Sequence, residues 1–388
     1  MVELGIDRLL ADPPAVVEDA RLGVITNPSG VNSALEPTLD LLAADDAFDL
    51  RVAFGPEHGV RGDRQAGEEF DDTVDEATGV TVKSLYGDTR RLAAADVAEL
   101  DVVVCDLQGV GCRFYTYLYT LAYALEGVAG TDTSLVVLDR PNPIAPLPVA
   151  GNRIPDEHAT FVGGYRLPIV YGLTIGEFVA YVRDMCDVNA DLHVVEMQDW
   201  NREMWFEETG LHWVQPSPNI PTLTAAILYP GTCLFEGTNL SEGRGTTKPF
   251  TQIGAPWIDP FDYADRLEAC DVAGVSFRPT YFTPWFSKHE ETRTGGVEIH
   301  IDDRDRLDPV DVGLLTLVVA FSSFPECDWR QRGNRYVIDR LAGGPWLREH
   351  IDSMEPAVDP AQVVASIRST WEAEEASFSD VIEDVALY

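Results

Sequence analysis

Short apolar runs recur along the first 150 residues, each rich in β-branched or aliphatic side chains. They fall at 22–26 (LGVIT), 50–54 (LRVAF), 80–85 (VTVKSL), 102–106 (VVVCD) and 135–139 (LVVLD). Stretches with helical spacing lie between them, at 36–44, 89–98 and 115–128. Nearly continuous apolar strands alternating with amphipathic helices predict a parallel sheet covered on both faces. Right-handed crossovers then give a doubly wound, Rossmann-like α/β domain, expected over residues 1–150. Residues 151–171 are rich in Gly and Pro and read as a linker or domain-spanning loop. Thr174 and Glu177 form a capping-box pair that starts a helix over 174–188, and 192–196 reads as a further strand. Beyond it, strands are expected at 225–229 and 297–301, and helices at 309–321 and 360–374. These elements predict a second, smaller α/β domain over 151–388 that helps form a cleft.

In an open parallel sheet, ligands bind beyond the carboxyl ends of the strands, so the residues leaving those ends are informative. They are Asn27-Pro28-Ser29-Gly30, Gly55-Pro56-Glu57-His58-Gly59, Tyr86-Gly87, Asp106-Leu107-Gln108-Gly109 and Asp139-Arg140-Pro141-Asn142. A single strand-end Asp is often only a turn or helix cap. Glu57, Asp106 and Asp139 together predict a polar, substrate-facing edge. Glycosidic cleavage uses two carboxyl groups, one protonating the leaving oxygen and one attacking or activating water. Glu57 is the candidate acid, because a strand end is a rigid mount. Glu68 is the candidate partner, since a Gly-rich loop separates the two. A second polar cluster, 236–246 (EGTNLSEGRGT), carries side chains suited to sugar hydroxyls on a backbone that glycine lets approach a ligand. Trp213 is a candidate for packing on a sugar face or, equally, for the apolar core.

Charge narrows the partners. The 388 residues hold 28 basic and 65 acidic side chains, a formal net charge of −37. Such a surface repels nucleic acid and anionic lipid. Acids are spread along the whole chain and the lysines are only Lys83, Lys248 and Lys288, a composition that predicts adaptation to molar salt. The six cysteines include no CxxC pair, and Cys105 lies within an apolar strand. Gly109-Val110-Gly111 lacks the third glycine of a dinucleotide fingerprint, there is no phosphate-loop motif, and the histidines show no HExxH grouping. No metal and no cofactor are therefore expected. The opening MVELGIDRLL lacks a basic stretch followed by an apolar one, and no run reaches ~18 apolar residues, so a cytoplasmic protein is expected.

The longest motifs are 54–62 (FGPEHGVRG), 66–68 (AGE), 84–87 (SLYG), 106–117 (DLQGVGCRFYTY), 138–143 (LDRPNP), 215–221 (QPSPNIP) and 236–250 (EGTNLSEGRGTTKPF). In these stretches, which span most of the chain, the sequence resembles the exo-β-N-acetylmuramidase family of NamZ type. The resemblance implies a Rossmann-like domain joined to a smaller C-terminal domain, with the active cleft between them. It implies release of N-acetylmuramic acid from the non-reducing end of peptidoglycan fragments. It places Glu57 and Glu68 as the catalytic carboxyls. It implies substrate contacts from His58, Arg61, Gln108, Arg113, Tyr115, Asn219, Glu236, Asn239, Glu242 and Arg244. The chain departs from the family pattern at Gly109, where an acid is usual, and near Gly295-Gly296, where a cysteine is usual. Salt adaptation points to an archaeal host, whose walls typically lack muramic acid. Two further readings therefore stand beside the muramidase: a hydrolase of a different host-specific glycan, and a sugar-binding protein with altered catalysis.

Overall fold

The first strand, β1 (Arg21–Thr26), sits at the centre of a seven-stranded sheet. The structure, a computed structural model, describes every residue except 66, 88, 89, 356 and 357. The other strands are β2 (Asp49–Gly55), β3 (Thr73–Val74), β4 (Thr81–Ser84), β5 (Val102–Asp106), β6 (Ser134–Leu138) and β7 (Leu192–Val195). Their order is β3-β4-β2-β1-β5-β6-β7, all parallel except the two-residue β3 at the edge. Without β3 the order is that of a Rossmann-like doubly wound sheet, and it reverses direction between β1 and β5. β7 places residues 192–195 in this sheet, so the sheet runs past the boundary expected at 150.

Alternate residues of one strand serve opposite faces. On β5, Val102 and Val104 join the cluster under α1 (Gly5–Ala11) and α2 (Thr38–Ala44). Val103 and Cys105 join the cluster that holds α4 (Tyr117–Val128) and α5 (Ile175–Met185). Burial on both faces explains why these strands read as unbroken apolar runs. The helix expected over 89–98 begins at a residue outside those described, and its helical part is the single turn α3 (Ala94–Val97). The capping box at α5 forms as expected: Thr174 Oγ1 accepts from the Glu177 amide at 3.2 Å, and Glu177 Oε2 accepts from the Thr174 amide at 2.8 Å.

The run at 225–229, expected as a strand, lies inside helix α6 (Leu223–Thr232). An apolar run of that length reads the same in either state. Thr222 decides the matter by accepting from the Ala225 amide as N-cap. α7 (Pro260–Glu268) flanks a three-stranded antiparallel sheet of β8 (Gln252–Ala255), β9 (Val275–Phe282) and β10 (Thr294–Ile301), ordered β8-β10-β9. α8 (Pro309–Ser323) is almost wholly buried and crosses α6 closely at Gly231 and Gly313. A Cβ on Gly231 would meet the Pro309 carbonyl at 1.9 Å, so the crossing depends on glycine.

A hairpin of β11 (Gln331–Arg332) and β12 (Arg335–Tyr336) leads into α9 (Val337–Ala342), and α10 (Trp346–Asp352) follows. The last expected helix, 360–374, is two: α11 (Pro360–Ser369) and α12 (Glu372–Val385), divided at the buried Trp371. The smaller α/β unit and the α4–α5 face of the large sheet share one apolar core, in which Leu118 and Val318 belong to the same cluster. Among the described residues, no helix is long and apolar enough to cross a membrane.

Candidate active site

Glu57 leaves β2 two residues after its end and is buried. Its Oε1 accepts from the Gly67 amide at 2.9 Å, and its Oε2 bonds Thr116 Oγ1 at 2.7 Å. An amide can only donate, whereas a hydroxyl rotates to donate or accept. The pair of partners therefore suits the carboxylate and also the carboxylic acid. Beneath it, Tyr117 Oη donates to the Pro216 carbonyl at 2.7 Å, lies 3.2 Å from the Glu57 carbonyl, and accepts from Asn27 Nδ2 at 2.5 Å. The loop after β1 thus braces the loop after β2 from below.

His58 is buried beside Glu57 with φ +76°, a left-handed conformation that costs free energy in any residue with a Cβ. Its Nδ1 lies 3.0 Å from the Arg64 carbonyl. A carbonyl only accepts, so the proton sits on Nδ1, and Nε2 of the neutral ring is left with a lone pair. Burial lowers the His58 pKa; Glu57 and the Arg64 carbonyl oppose this, and nearby Arg244 adds to it.

Both residues line a cavity of about 460 Å³ between the carboxyl edge of the large sheet and the smaller unit. The far wall carries Glu236, Glu242 and Arg244. Arg244 bonds Glu236 Oε1 at 2.6 Å and lies 3.3 Å from Glu242 Oε1. Burial opposes the charge on Arg244, but the two acids outweigh it and hold the pKa above the ordinary value. Burial also opposes the Glu242 charge, but Lys288, 2.6 Å away, and Arg244 hold it below the usual carboxylate range. Tyr115 and Asn219 line the same space. Among the described residues, Tyr115 Oη lies beside Tyr117 and Ser217 yet makes no hydrogen bond of good geometry, and Asn219 Nδ2 has no partner. Buried donors without partners are unusual; these two atoms are closed off from solvent, in side chains that line the cavity.

Comparison with known proteins decides the family. The models for the N-terminal and C-terminal parts of exo-β-N-acetylmuramidase NamZ match residues 22–224 and 227–388. The chain belongs to the NamZ exo-β-N-acetylmuramidase family. It is 44% identical over 353 residues to the peptidoglycan β-N-acetylmuramidase NamZ of Bacillus subtilis (strain 168), covering 91% of this chain and 84% of that protein. A crystal structure of a DUF1343 family protein from Bacteroides fragilis NCTC 9343 superposes with TM-score 0.89 at 32% identity, over 100% of this chain and 99% of that one. A second DUF1343 protein from the same organism gives TM-score 0.79 at 26% identity, with the same coverage of each chain.

Other NamZ motif residues lie off the cavity. Glu68 is exposed and holds Arg64 at 3.1 Å; the Gln65 amide bond and Arg64 together lower its pKa. The AGE motif, whose Ala66 is outside the described residues, therefore contributes the Gly67 amide to the cavity and not the Glu68 carboxylate. Arg61 is held by Asp40 at 2.6 Å and Asp75 at 2.7 Å. Asp106 is fully buried, bonded by Arg140 Nε at 2.5 Å and Nη2 at 2.8 Å and by Thr38. Asp139 caps α5, accepting from Thr174 Oγ1 at 2.7 Å and the Gly176 amide at 2.8 Å. Burial pushes its carboxyl up to about 6. Gln108 donates to the Gly109 and Pro141 carbonyls and lines a separate small crevice with Trp213. Arg113 is buried among the carbonyls of Asn152, Leu167 and Leu341, and burial pulls its pKa down to about 10. Asn239 bonds the Glu326 carbonyl and the Asp328 amide. The expected substrate contacts of Arg61, Asp106, Gln108, Arg113, Asp139 and Asn239 are thus replaced by internal bonds that fix loops and helix ends.

Gly109 is also away from the cavity. A Cβ there would lie 2.9 Å from Ile175 Cγ2, so the missing acid leaves no gap in the cavity wall. The motifs did not single out Thr116, although it stands within 106–117, nor Arg330, Arg332 and Arg340 at the cavity rim.

Proposed function

We propose that this chain is an exo-acting glycoside hydrolase that releases terminal N-acetylmuramic acid, or a closely related N-acetylated amino sugar, from the non-reducing end of a glycan. The observation that carries the reading is Glu57: a buried strand-end carboxyl in a cavity large enough for a sugar, with one fixed donor and one reversible partner. Glu57 protonates the glycosidic oxygen as the bond breaks. As the bond forms to water, the Nε2 lone pair of His58 takes the proton, its ring fixed by the Arg64 carbonyl and kept neutral by burial. Asn219 and Tyr115 line the space that takes the sugar, and the ion-paired Glu236, Arg244 and Glu242 give a rigid polar wall.

The test is turnover of chromogenic β-glycosides of N-acetylmuramic acid and N-acetylglucosamine, side by side in molar KCl, together with a peptidoglycan disaccharide. Release of the muramic acid sugar supports the reading. Turnover of other glycosides only would reassign the substrate, and tight binding of sugar without turnover would make the chain a binding protein.

A further inference from the structure

The chain carries 65 acids to 28 bases, yet some of its cations stand without a carboxylate partner. The cavity holds several. Arg90, Arg330, Arg332 and Arg340 all line it, and among the described residues none of them is ion-paired. They come from two directions. Arg90 approaches from the large-sheet side, its guanidinium 4.6 Å from the Tyr86 ring centre and 4.5 Å from that of Phe161. Arg332 lies on β11 and Arg340 on α9, both carried by the segment after α8. Arg340 is half-buried, and its pKa is lowered by burial and then by Arg332, Arg90 and Arg335. Among the described residues, the charges that shift it are thus of its own sign. Like charges gathered in a cleft repel one another and focus a field for an anion. The cluster is continuous with the catalytic end: Tyr86, on whose ring Arg90 rests, has its pKa raised by burial and then by the charge of Glu57.

We propose that Arg90, Arg332 and Arg340 form an anion subsite that takes a carboxylate borne by the terminal sugar, and so select an acidic amino sugar over a neutral one. This rests on the reading of the cavity as a glycosidase site. A muramic acid residue differs from glucosamine by a lactyl ether ending in a carboxylate. A planar guanidinium matches a carboxylate through two parallel N–H···O bonds, and arginine stays charged at any working pH. Stacking on Tyr86 and Phe161 holds Arg90 in place beforehand, which reduces the ordering needed on binding. A carboxylate of a peptide attached to the lactyl group has the same chemistry, set farther from the ring.

The experiment compares three chromogenic β-glycosides at one fixed KCl concentration: the sugar with its free lactyl carboxylate, its lactyl amide, and its lactyl-alanine form. The protein is assayed as wild type and as the Arg332→Gln/Arg340→Gln double variant. We expect wild type to favour the free acid over the amide by at least ~10-fold in kcat/KM, chiefly through KM. The double variant should bring that ratio to within about twofold of unity. An unchanged ratio in the variant, or no preference in wild type, overturns the subsite. A preference for the alanine form that the variant abolishes overturns the assignment to the sugar's own carboxylate. If no glycoside is turned over, the hydrolase reading fails separately, and calorimetric binding of N-acetylmuramate against N-acetylglucosamine decides the subsite. A preference for the acid that the double variant removes then supports it, and equal binding overturns it.

Discussion

Thr116 Oγ1 lies 2.7 Å from Glu57 Oε2, joining the residue before α4 to the loop after β2. The bond orients the carboxyl from the side opposite the Gly67 amide, so Glu57 is held at both oxygens. Thr116→Val keeps the side-chain shape and removes the hydroxyl. We expect kcat to fall about 10-fold with KM changed less than about 3-fold, and Thr116→Ser to restore most of the rate. Steady-state kinetics of the two variants check this; a valine variant with full kcat would release Thr116 from its positioning role.

In the proposed mechanism His58 sets the acid side of the pH profile. Its folded pKa is lowered, first by burial, so the ring stays neutral below the ordinary histidine range and gains a proton only as pH falls through that lowered value. The base form is the working form, so kcat/KM should hold as pH drops past about 6.5 and decline only below it. A histidine-type decline centred above that value would contradict the assignment of Nε2 as proton acceptor. His58→Gln should abolish that limb as well as lower the rate.

Much of this arrangement is legible in the sequence, and the failures have physical causes. Apolar β-branched runs marked the central strands, because burial on both faces leaves no polar residue to interrupt them. Glu57, His58, Tyr115, Asn219, Glu236, Glu242 and Arg244 were found through their motifs and meet in one cavity. Asp106 and Asp139 occupy the same strand edge but turn inward. A strand-end carboxylate looks alike in sequence whether it faces a ligand or caps a helix, and the partner that decides, Thr174 for Asp139, is 35 residues away. Glu68 and the Gly67 amide stand side by side in one motif, and only the backbone's path selects the amide. The stretch 328–340 (DWRQRGNRYVIDR) places Arg330, Arg332, Arg335 and Arg340 together in a strongly acidic chain, and three of the four reach the cavity.

Asp106 supplies a test of structure against motif. Its carboxylate is fully buried and gripped by Arg140 through two nitrogens. Asp106→Asn leaves the Arg140 charge buried without its partner. The expected loss of unfolding free energy is roughly 3–5 kcal/mol, with the folded fraction keeping its KM. Denaturant titration and kinetics on the same preparation check both halves; a raised KM with unchanged stability would return Asp106 to the substrate.

The net charge of −37 predicts a salt requirement. Repulsion among surface acids is largely unscreened in dilute buffer, while the screening length shrinks to about 3 Å in molar salt. We expect the unfolding temperature and the activity to rise steeply from low salt to molar KCl. Calorimetric scans across KCl concentrations measure this, and a protein fully stable at low ionic strength would refute salt adaptation.

Glu57 and Glu68, the two carboxylates of neighbouring motifs, should respond differently to loss of charge. Glu57→Gln preserves shape and the bond from Gly67, but it removes the proton that the leaving oxygen needs. General acid catalysis contributes on the order of 10²–10⁴-fold, so kcat/KM on a poor leaving group such as a second sugar should fall by at least ~100-fold. A leaving group that departs as a stable anion needs little protonation, so its rate should fall much less, and the gap between the two substrates identifies the lost step as proton donation. Glu68→Gln breaks only an exposed pairing with Arg64, so both substrates should stay within about 3-fold of wild type. Both variants are compared by thermal melting, so that a folding defect is not mistaken for a chemical one. Equal losses on the two substrates for Glu57→Gln would mean that the residue orients the sugar without protonating it. Wild-type rates on the sugar leaving group, in a folded variant, would remove Glu57 from the mechanism altogether.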